Sequence, residues 1–377
     1  MDKLFVTTDL QREVLAKICS LRDGFKKREP MLDEIGACPF ENIEALKAIG
    51  YTGLTVPKIY GGAGITLTDF ILFQEVIAMG SGPTALAIGW HLGIVKDIFE
   101  NGLWLDAQLF EWFCQESLAG KLVNRAASEL ATGSPTRGGR PQTTAKKAGD
   151  GYVLNGEKVF TTLAPSLDYF LVTADLGEEI GEFLVPKDLA GVSIEQWWDS
   201  VSMRGTASEK LILNDVKVPS RFLVNYQKGP KKYNGWLLHI PACYLGMAQA
   251  AANEAVSFAK GYQPNSLKEP ISSLPSIRQQ IGEMELELTQ ARHFLYSVCQ
   301  MYDQGLDVSM ELGAVKHTVT NMALSVVDKA MRITGARSLS QANPMWRYYL
   351  NIRAGLHNPP MDDAVISGLA KRAIEQN

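Results

Sequence analysis

Between about residue 122 and Pro219 the chain exchanges one hydrophobic periodicity for another, and this change limits its folds more than any other feature. On either side, apolar residues recur at three and four, the spacing of one helix face; inside, short β-branched and aromatic runs alternate with turn residues. The runs lie at Tyr152–Leu154, Lys158–Phe160, Tyr169–Thr173, Glu182–Val185, Val192–Ile194, Lys210–Leu213 and Val216–Val218. Strands this short and this closely spaced predict an antiparallel barrel or sandwich. Asn155-Gly156 predicts a type I′ hairpin turn, because both residues tolerate the positive φ it requires. No βαβ alternation and no GxGxxG after a strand occur, which excludes a Rossmann dehydrogenase.

The helical flanks have their own punctuation. Pro39 opens a helix carrying Ile43, Leu46 and Ile49 on one face, and Gly50 stops it. Thr68 is expected to cap the next helix, with Asp69 in its first turn and Phe70, Phe73 and Ile77 facing inward. Tyr60-Gly61-Gly62-Ala63-Gly64 forms a tight connector between the two. After Pro219 helical patterns resume at Trp236, and Ile277, Ile281, Met284 and Leu288 mark one apolar face of a bundle. The division is an α-helical unit over 1–121, a β unit over 122–225 and a helical bundle over 226–377, an α+β fold.

A formal net charge of −4 and no basic cluster interleaved with aromatics exclude a nucleic-acid binder. The apolar run Ala78 to Val95 contains Pro83, His91 and Gly80, Gly82, Gly89 and Gly93, so it reads as buried helices and not a membrane span. Charges throughout Met1 to Leu21 leave no signal-peptide core. Cys19, Cys38, Cys114, Cys243 and Cys299 are scattered, without CxxC or a His at zinc spacing. They predict no metal and a reducing, cytoplasmic location.

Five segments, in order, resemble the acyl-CoA dehydrogenase family: Val56-Pro57 to Gly64, Ser128-Glu129 through Gly133-Ser134, Leu154 to Thr162, Asp215-Val216-Lys217-Val218-Pro219, and Gly246-Met247-Ala248-Gln249. The resemblance covers nearly the whole chain and implies an N-terminal α-domain, a β-domain and a C-terminal four-helix bundle, assembled as a homotetramer or dimer. It also implies FAD between the β-domain and the bundle. Ala127, Ser128, Gly133 and Ser134 then stand for the family's Thr-Glu-Pro-Gly-Ala-Gly-Ser loop. Phe160, Thr161 and Thr162 stand for its Trp-Ile-Thr segment, with Thr162 near flavin N5 and O4. Gly335 and Arg337 stand where a Gly-Gly-x-Gly turn meets the neighbouring subunit's cofactor. Ser134, and Arg204 in Met203-Arg204-Gly205-Thr206-Ala207-Ser208, are expected near the substrate.

The resemblance further implies oxidation of an acyl thioester, with a Glu removing the α-proton and hydride passing to flavin N5. Of the family's two positions for that Glu, one reads Leu356-His357-Asn358-Pro359-Pro360-Met361-Asp362-Asp363 and the other Tyr233 to His239; neither holds Glu. Asp362 or Asp363 is a substitute base, although two Asp after two Pro equally make a helix start. Leu356-His357-Asn358-Pro359 resembles the Leu-His-Asp-Pro of two-component flavin monooxygenases of the same fold, whose His and hydroxyl groups surround a C4a-hydroperoxyflavin supplied by a reductase. There His357 and His91 are the candidates, with Thr161 or Thr162 as hydroxyl. A non-catalytic flavin- or thioester-binding scaffold is the third expectation, and an electron-transfer partner the natural acceptor for the first.

Overall fold

In the computed structural model, which describes residues 4–133, 139–226 and 234–375, five helices come first: α1 (Asp9–Ile35), α2 (Phe40–Ala48), α3 (Leu67–Ala78), α4 (Gly82–Glu100) and α5 (Ala107–Leu118). Strands follow as β1 (Val123–Ala126), β2 (Thr144–Ala148), β3 (Gly151–Thr161), β4 (Tyr169–Asp175), β5 (Ile180–Pro186), β6 (Val192–Glu195), β7 (Glu209–Pro219) and β8 (Leu223–Tyr226). The chain closes with α6 (His239–Gly261), α7 (Pro275–Asp303), α8 (Ser309–Thr334), α9 (Met345–Arg353) and α10 (Asp362–Glu375). Helical, β and helical units thus appear in the expected order.

Every residue of α3 is buried, because it is packed by α1, α4, α6 and α7. Its cap is Thr66 rather than Thr68: the Asp69 N–H donates to Thr66 Oγ1 and the Thr66 N–H to Asp69 Oδ2, both at 3.1 Å, a reciprocal capping box. The Thr68 hydroxyl instead donates to Asp303 at the end of α7, at 2.6 Å. Three buried ion pairs, centred on two arginines, hold the layers together. Glu75 on α3 accepts from Arg292 at 2.8 Å and from the Tyr296 hydroxyl at 2.7 Å, both on α7. Arg125 on β1 reaches Asp97 on α4 at 2.8 Å and Glu182 on β5 at 3.0 Å.

The strands form one sheet of order β6-β7-β3-β2-β4-β5-β8, with β1 added beside β4. The sheet is mixed and not wholly antiparallel, since β1 runs parallel to β4 from Val123↔Tyr169 to Ala126↔Val172. The hairpin turn also lies elsewhere than expected. β2 and β3 join through Gly149-Asp150, with Gly149 at φ 58°, while Asn155-Gly156 sits inside β3. There Asn155 faces two β7 residues, Asn214 and Asp215, as a bulge, and Asp215 takes φ 51°. Asn155 and Asp215 exchange hydrogen bonds of 2.9 and 3.0 Å across it, so the two short strands read at 210–213 and 216–218 are one. Asn-Gly therefore served a bulge and not a chain reversal.

Among the described residues no helix is long and apolar enough to cross a membrane, no His/Cys/Asp/Glu group is arranged to hold a metal, and all five cysteines are free. α4 and the start of α6 approach closely because α4 carries glycine at the contact. A Cβ at Gly89 would stand 2.5 Å from His239 Cδ2, and one at Gly93 would stand 2.2 Å from Trp236 Cε3. Gly93→Ala is expected to cost about 1–3 kcal/mol by overpacking, whereas Gly282→Ala, on α7 with nothing within 4 Å, should gain up to about 1 kcal/mol from helix propensity. Urea midpoints moving in opposite directions check this pair.

Candidate active site

A second bulge shapes the most distinctive surface of the β unit. Lys158 pairs with Leu211 and Thr161 with Glu209, so β3 spends one more residue than β7 over this step. Phe160 sits in that excess at φ 56°, a conformation that costs an L-residue energy and persists only where the surroundings enforce it. Its ring is 54% exposed although Val159 and Thr161 beside it are buried. Two tryptophans stand edge-on to it, Trp197 at 5.2 Å and Trp198 at 6.0 Å between ring centroids. Their backbone N–H groups both donate to Glu209 Oε2, at 2.6 and 2.8 Å, which fixes the loop that carries them. The outcome is a presented aromatic face on a strained strand end.

Beneath it lies a fully buried lysine. Lys158 Nζ donates to Glu129 Oε1 at 2.6 Å and to Thr173 Oγ1 at 3.3 Å. Glu129 also accepts from the Gln142 N–H at 2.6 Å, the Thr143 N–H at 3.0 Å and the Thr143 hydroxyl at 2.7 Å. Burial raises the Glu129 carboxyl, but Lys158, Thr143 and the two N–H groups outweigh it and hold the group below the usual carboxylate range. This pair pins the loop after β1 to β3. Glu129 and Gly133 close that loop with two backbone bonds, of 2.8 and 3.3 Å, Gly133 adopting φ 69°, and the Val159 N–H donates to Ser128 O at 2.9 Å. Ser134 lies outside the described residues.

Thr162 begins a chain of hydroxyls whose polarity is forced. Thr162 Oγ1 lies 2.9 Å from Ser208 Oγ, Ser208 Oγ lies 2.8 Å from Thr206 Oγ1, and Thr206 donates to Met203 O at 2.9 Å. With the Thr206 proton committed to a carbonyl, Ser208 must donate to Thr206 and Thr162 to Ser208. Thr162 therefore keeps lone pairs, and no proton, for whatever lies in front of it. Its carbonyl accepts from Asn124 Nδ2 at 3.0 Å, which fixes the residue from behind. Thr161 points the other way, its hydroxyl enclosed without a partner.

The remaining residues singled out from sequence occupy separate environments. His91 is buried between the helices and the sheet: its Nδ1 accepts from the Val123 N–H and its Nε2 faces Thr52 O, both at 3.1 Å. That pairing requires the neutral Nε2–H tautomer, and burial, partly opposed by the Thr52 bond, lowers its pKa to about 4. Arg204 directs its guanidinium at the carbonyls of Asp33, Glu34 and Ser200. His357 is exposed, after a 3-10 turn at Ala354–Leu356. Next to it Asn358 accepts from the buried Tyr244 hydroxyl. Asp362 accepts from Lys316 and Asn321, both at 3.2 Å, whereas Asp363 beside it is exposed. Gly335 ends α8 at φ 64°, ψ −152°, and Arg337 lies 4.2 Å over Tyr262 and 5.9 Å over Phe258. Trp197, Trp198 and Glu209 were not picked out from sequence, and Ser208 only as the end of the Met203–Ser208 loop; the adjacent tryptophans before a hydroxyl-rich turn were the available signal.

Three family models cover the chain in succession: acyl-CoA dehydrogenase N-terminal domain over residues 10–103, middle domain over 124–216 and C-terminal domain over 238–356. The chain is 52% identical over 379 residues to YdbM of Bacillus subtilis, which carries an acyl-CoA dehydrogenase name, covering 99% of each. The chain belongs to the acyl-CoA dehydrogenase family. It is a flavin-dependent oxidoreductase of that family. A more distant relative is the 3-(aryl)acrylate reductase of Clostridium sporogenes, 29% identical over 91% of this chain and 93% of that one. The butyryl-CoA dehydrogenase structure from Megasphaera elsdenii shares the fold, with a TM-score of 0.87 at 22% identity over 98% and 99% of the two chains. The residues present fit a flavin: the exposed ring of Phe160 gives a flat apolar wall, and Thr162 offers an acceptor beside it.

Glu129→Gln should leave Lys158 as an uncompensated buried charge and cost about 3–5 kcal/mol. The wild-type contribution of Glu129, whose pKa is depressed, is complete above its unfolded value and lost as pH falls through the folded one. His91 and His239, both lowered by burial to about 4, add a second slope. Each takes up a proton on unfolding below 6.5, so stability falls by about 1.4 kcal/mol per pH unit for each between pH 6.5 and pH 4. Denaturation midpoints across that range check it, and His239→Phe should halve the histidine part.

Proposed function

We propose that the protein oxidises an acyl-CoA thioester between its α and β carbons, with FAD bound against Phe160–Thr162. The observation that carries this reading is the strained, exposed Phe160 beside an acceptor-only Thr162, on a chain matched along its whole length by acyl-CoA dehydrogenases. Bound FAD supplies the hydride acceptor. Phe160 would supply an apolar wall for its ring and Thr162 a hydrogen-bond acceptor, and Ala127, Ser128, Gly133 and Ser134 would hold the rest of the cofactor. Gly335 and Arg337 serve a neighbouring subunit, which makes the working form a homo-oligomer. The five free cysteines support a cytoplasmic setting, and an electron-transfer partner reoxidises the flavin.

His357 is assigned the α-proton. It lies in the segment where a family Glu is replaced, its backbone N–H donates to Ala354 O at 3.0 Å, and its imidazole is exposed with no hydrogen bond to a described residue. Asp362 is committed to Lys316 and Asn321, which together outweigh its burial and hold it in the charged form. Asp363 is the remaining carboxylate. The position of His91 between two backbone groups favours a structural use over proton transfer. A second reading, flavin-dependent monooxygenation with a separate reductase, is favoured by one observation, the absence of Glu beside Leu356-His357-Asn358-Pro359.

The test is anaerobic addition of acyl-CoA esters of increasing chain length to the flavin-loaded protein. Loss of the oxidised flavin band is the expected result, and His357→Gln should slow it about 10²–10⁴-fold with flavin affinity unchanged. Asp363→Asn should leave the rate within about threefold on that assignment. A flavin band untouched by every ester, combined with a protein-dependent, long-lived oxygenated-flavin absorbance when reduced flavin and oxygen are supplied, would replace this reading with the second.

A further inference from the structure

A crevice of about 150 Å³ lies where α1, the α3–α4 turn, α6 and α9 converge. Lys26 and Glu29 line it from α1, Ser81 from the turn, Met247 from α6, and Arg347 and Tyr348 from α9. The charged groups there are incompletely matched. Arg347 is only 9% exposed, yet its guanidinium makes no ion pair within 4.0 Å and no hydrogen bond to a described residue; its contact is the ring of Trp346 at 5.3 Å. Glu29 is half-buried, and its Oε2 is enclosed with no hydrogen-bond partner among the described residues. A guanidinium taken out of water needs acceptors, and an enclosed carboxyl oxygen needs a donor or a proton.

We propose that this crevice is a binding site for a small organic carboxylate, held in a two-point contact by Arg347 and donated to by the protonated carboxyl of Glu29. A carboxylate satisfies both groups at once: it offers the guanidinium two coplanar oxygens and accepts the Glu29 O–H. A neutral amide of equal size offers one oxygen only. A cavity of this volume admits a ligand of about six non-hydrogen atoms, the size of benzene, and the Met247 side chain supplies the apolar wall for a short carbon chain. Asn351 also lines the crevice and accepts from the Met203 N–H at 2.7 Å, and the proposal uses neither the flavin nor the Phe160–Thr162 surface.

The protonation of Glu29 belongs to the same geometry. Burial raises its carboxyl to about 7, with Ser81 and Arg347 pulling it down only in part and Asp33 adding to the rise. The other charged or titratable groups facing it are Lys26, paired to Glu254 of α6, and Tyr348. Since the protonated form is the donor, affinity for a carboxylate is greatest below pH 7 and falls by up to about tenfold per pH unit above it.

Calorimetric titration of the purified full-length protein with acetate, propionate, benzoate and succinate, each against its amide at equal ionic strength, tests this. The expected result is saturable binding of at least one acid and no binding of its amide. Arg347→Gln should weaken it at least tenfold and Arg347→Lys less, while Glu29→Gln should retain binding and abolish its dependence on pH. If Arg347→Gln does not fold, the pH profile of wild type against Glu29→Gln decides alone. Absence of saturable binding at pH 6, equal binding of acid and amide, or binding by Arg347→Gln at wild-type strength would overturn the proposal.

Discussion

A buried lysine cannot stay charged without a partner, and the contact between Lys158 and Glu129 is the constraint on which the β unit depends. It joins three pieces of chain that are distant in sequence: the loop after β1, the entry to β2 at Gln142–Thr143, and the middle of β3. Fixing Lys158 inward fixes the pleat of β3, and the extra residue that follows then throws Phe160 outward at positive φ. The same pair places Glu129 at the neck of the Ser128–Gly133 loop. A structural ion pair thereby positions both segments proposed to meet the cofactor.

The helical layers do comparable work with fewer polar groups. α3 is buried all round; its Glu75 is matched by Arg292 and Tyr296, and its Asp69 by Gln11 and the capping box. Arg125 joins α4 to the sheet through Asp97 and Glu182. Where the helices come closest, glycine on α4 makes room for Trp236 and His239, so aromatic packing fills the contact in place of polar bonds. The site surface is carried on this rigid body and not on a free loop.

Much of this architecture was legible in the sequence because it follows from periodicity: the helix–strand–helix order and the inward faces of α3 and α7 needed only spacing. The local errors have a common physical origin. Asn155-Gly156 suits both a turn and a bulge, and the choice between them is made by cross-strand partners on β7 that lie sixty residues away. Thr66 and Thr68 are both capping residues, and Asp303 decides which one is free to cap. The site was legible only in part. Phe160 and Thr162 stood out as a motif, whereas Ser208, Thr206 and the two tryptophans acquire meaning from the fold of the 197–208 loop against β3.

The chain Thr162–Ser208–Thr206–Met203 leaves Thr162 as an acceptor, and on the proposed function it would favour a reduced flavin, which carries an additional N–H, over an oxidised one. Potentiometric titration of bound flavin in wild type and Ser208→Ala tests this most directly. Losing the donor relay frees the Thr162 proton, and one hydrogen bond's worth of preference, about 1.4 kcal/mol, corresponds to a two-electron potential about 30 mV more negative in the variant. An unchanged potential, with flavin still bound, would contradict the account.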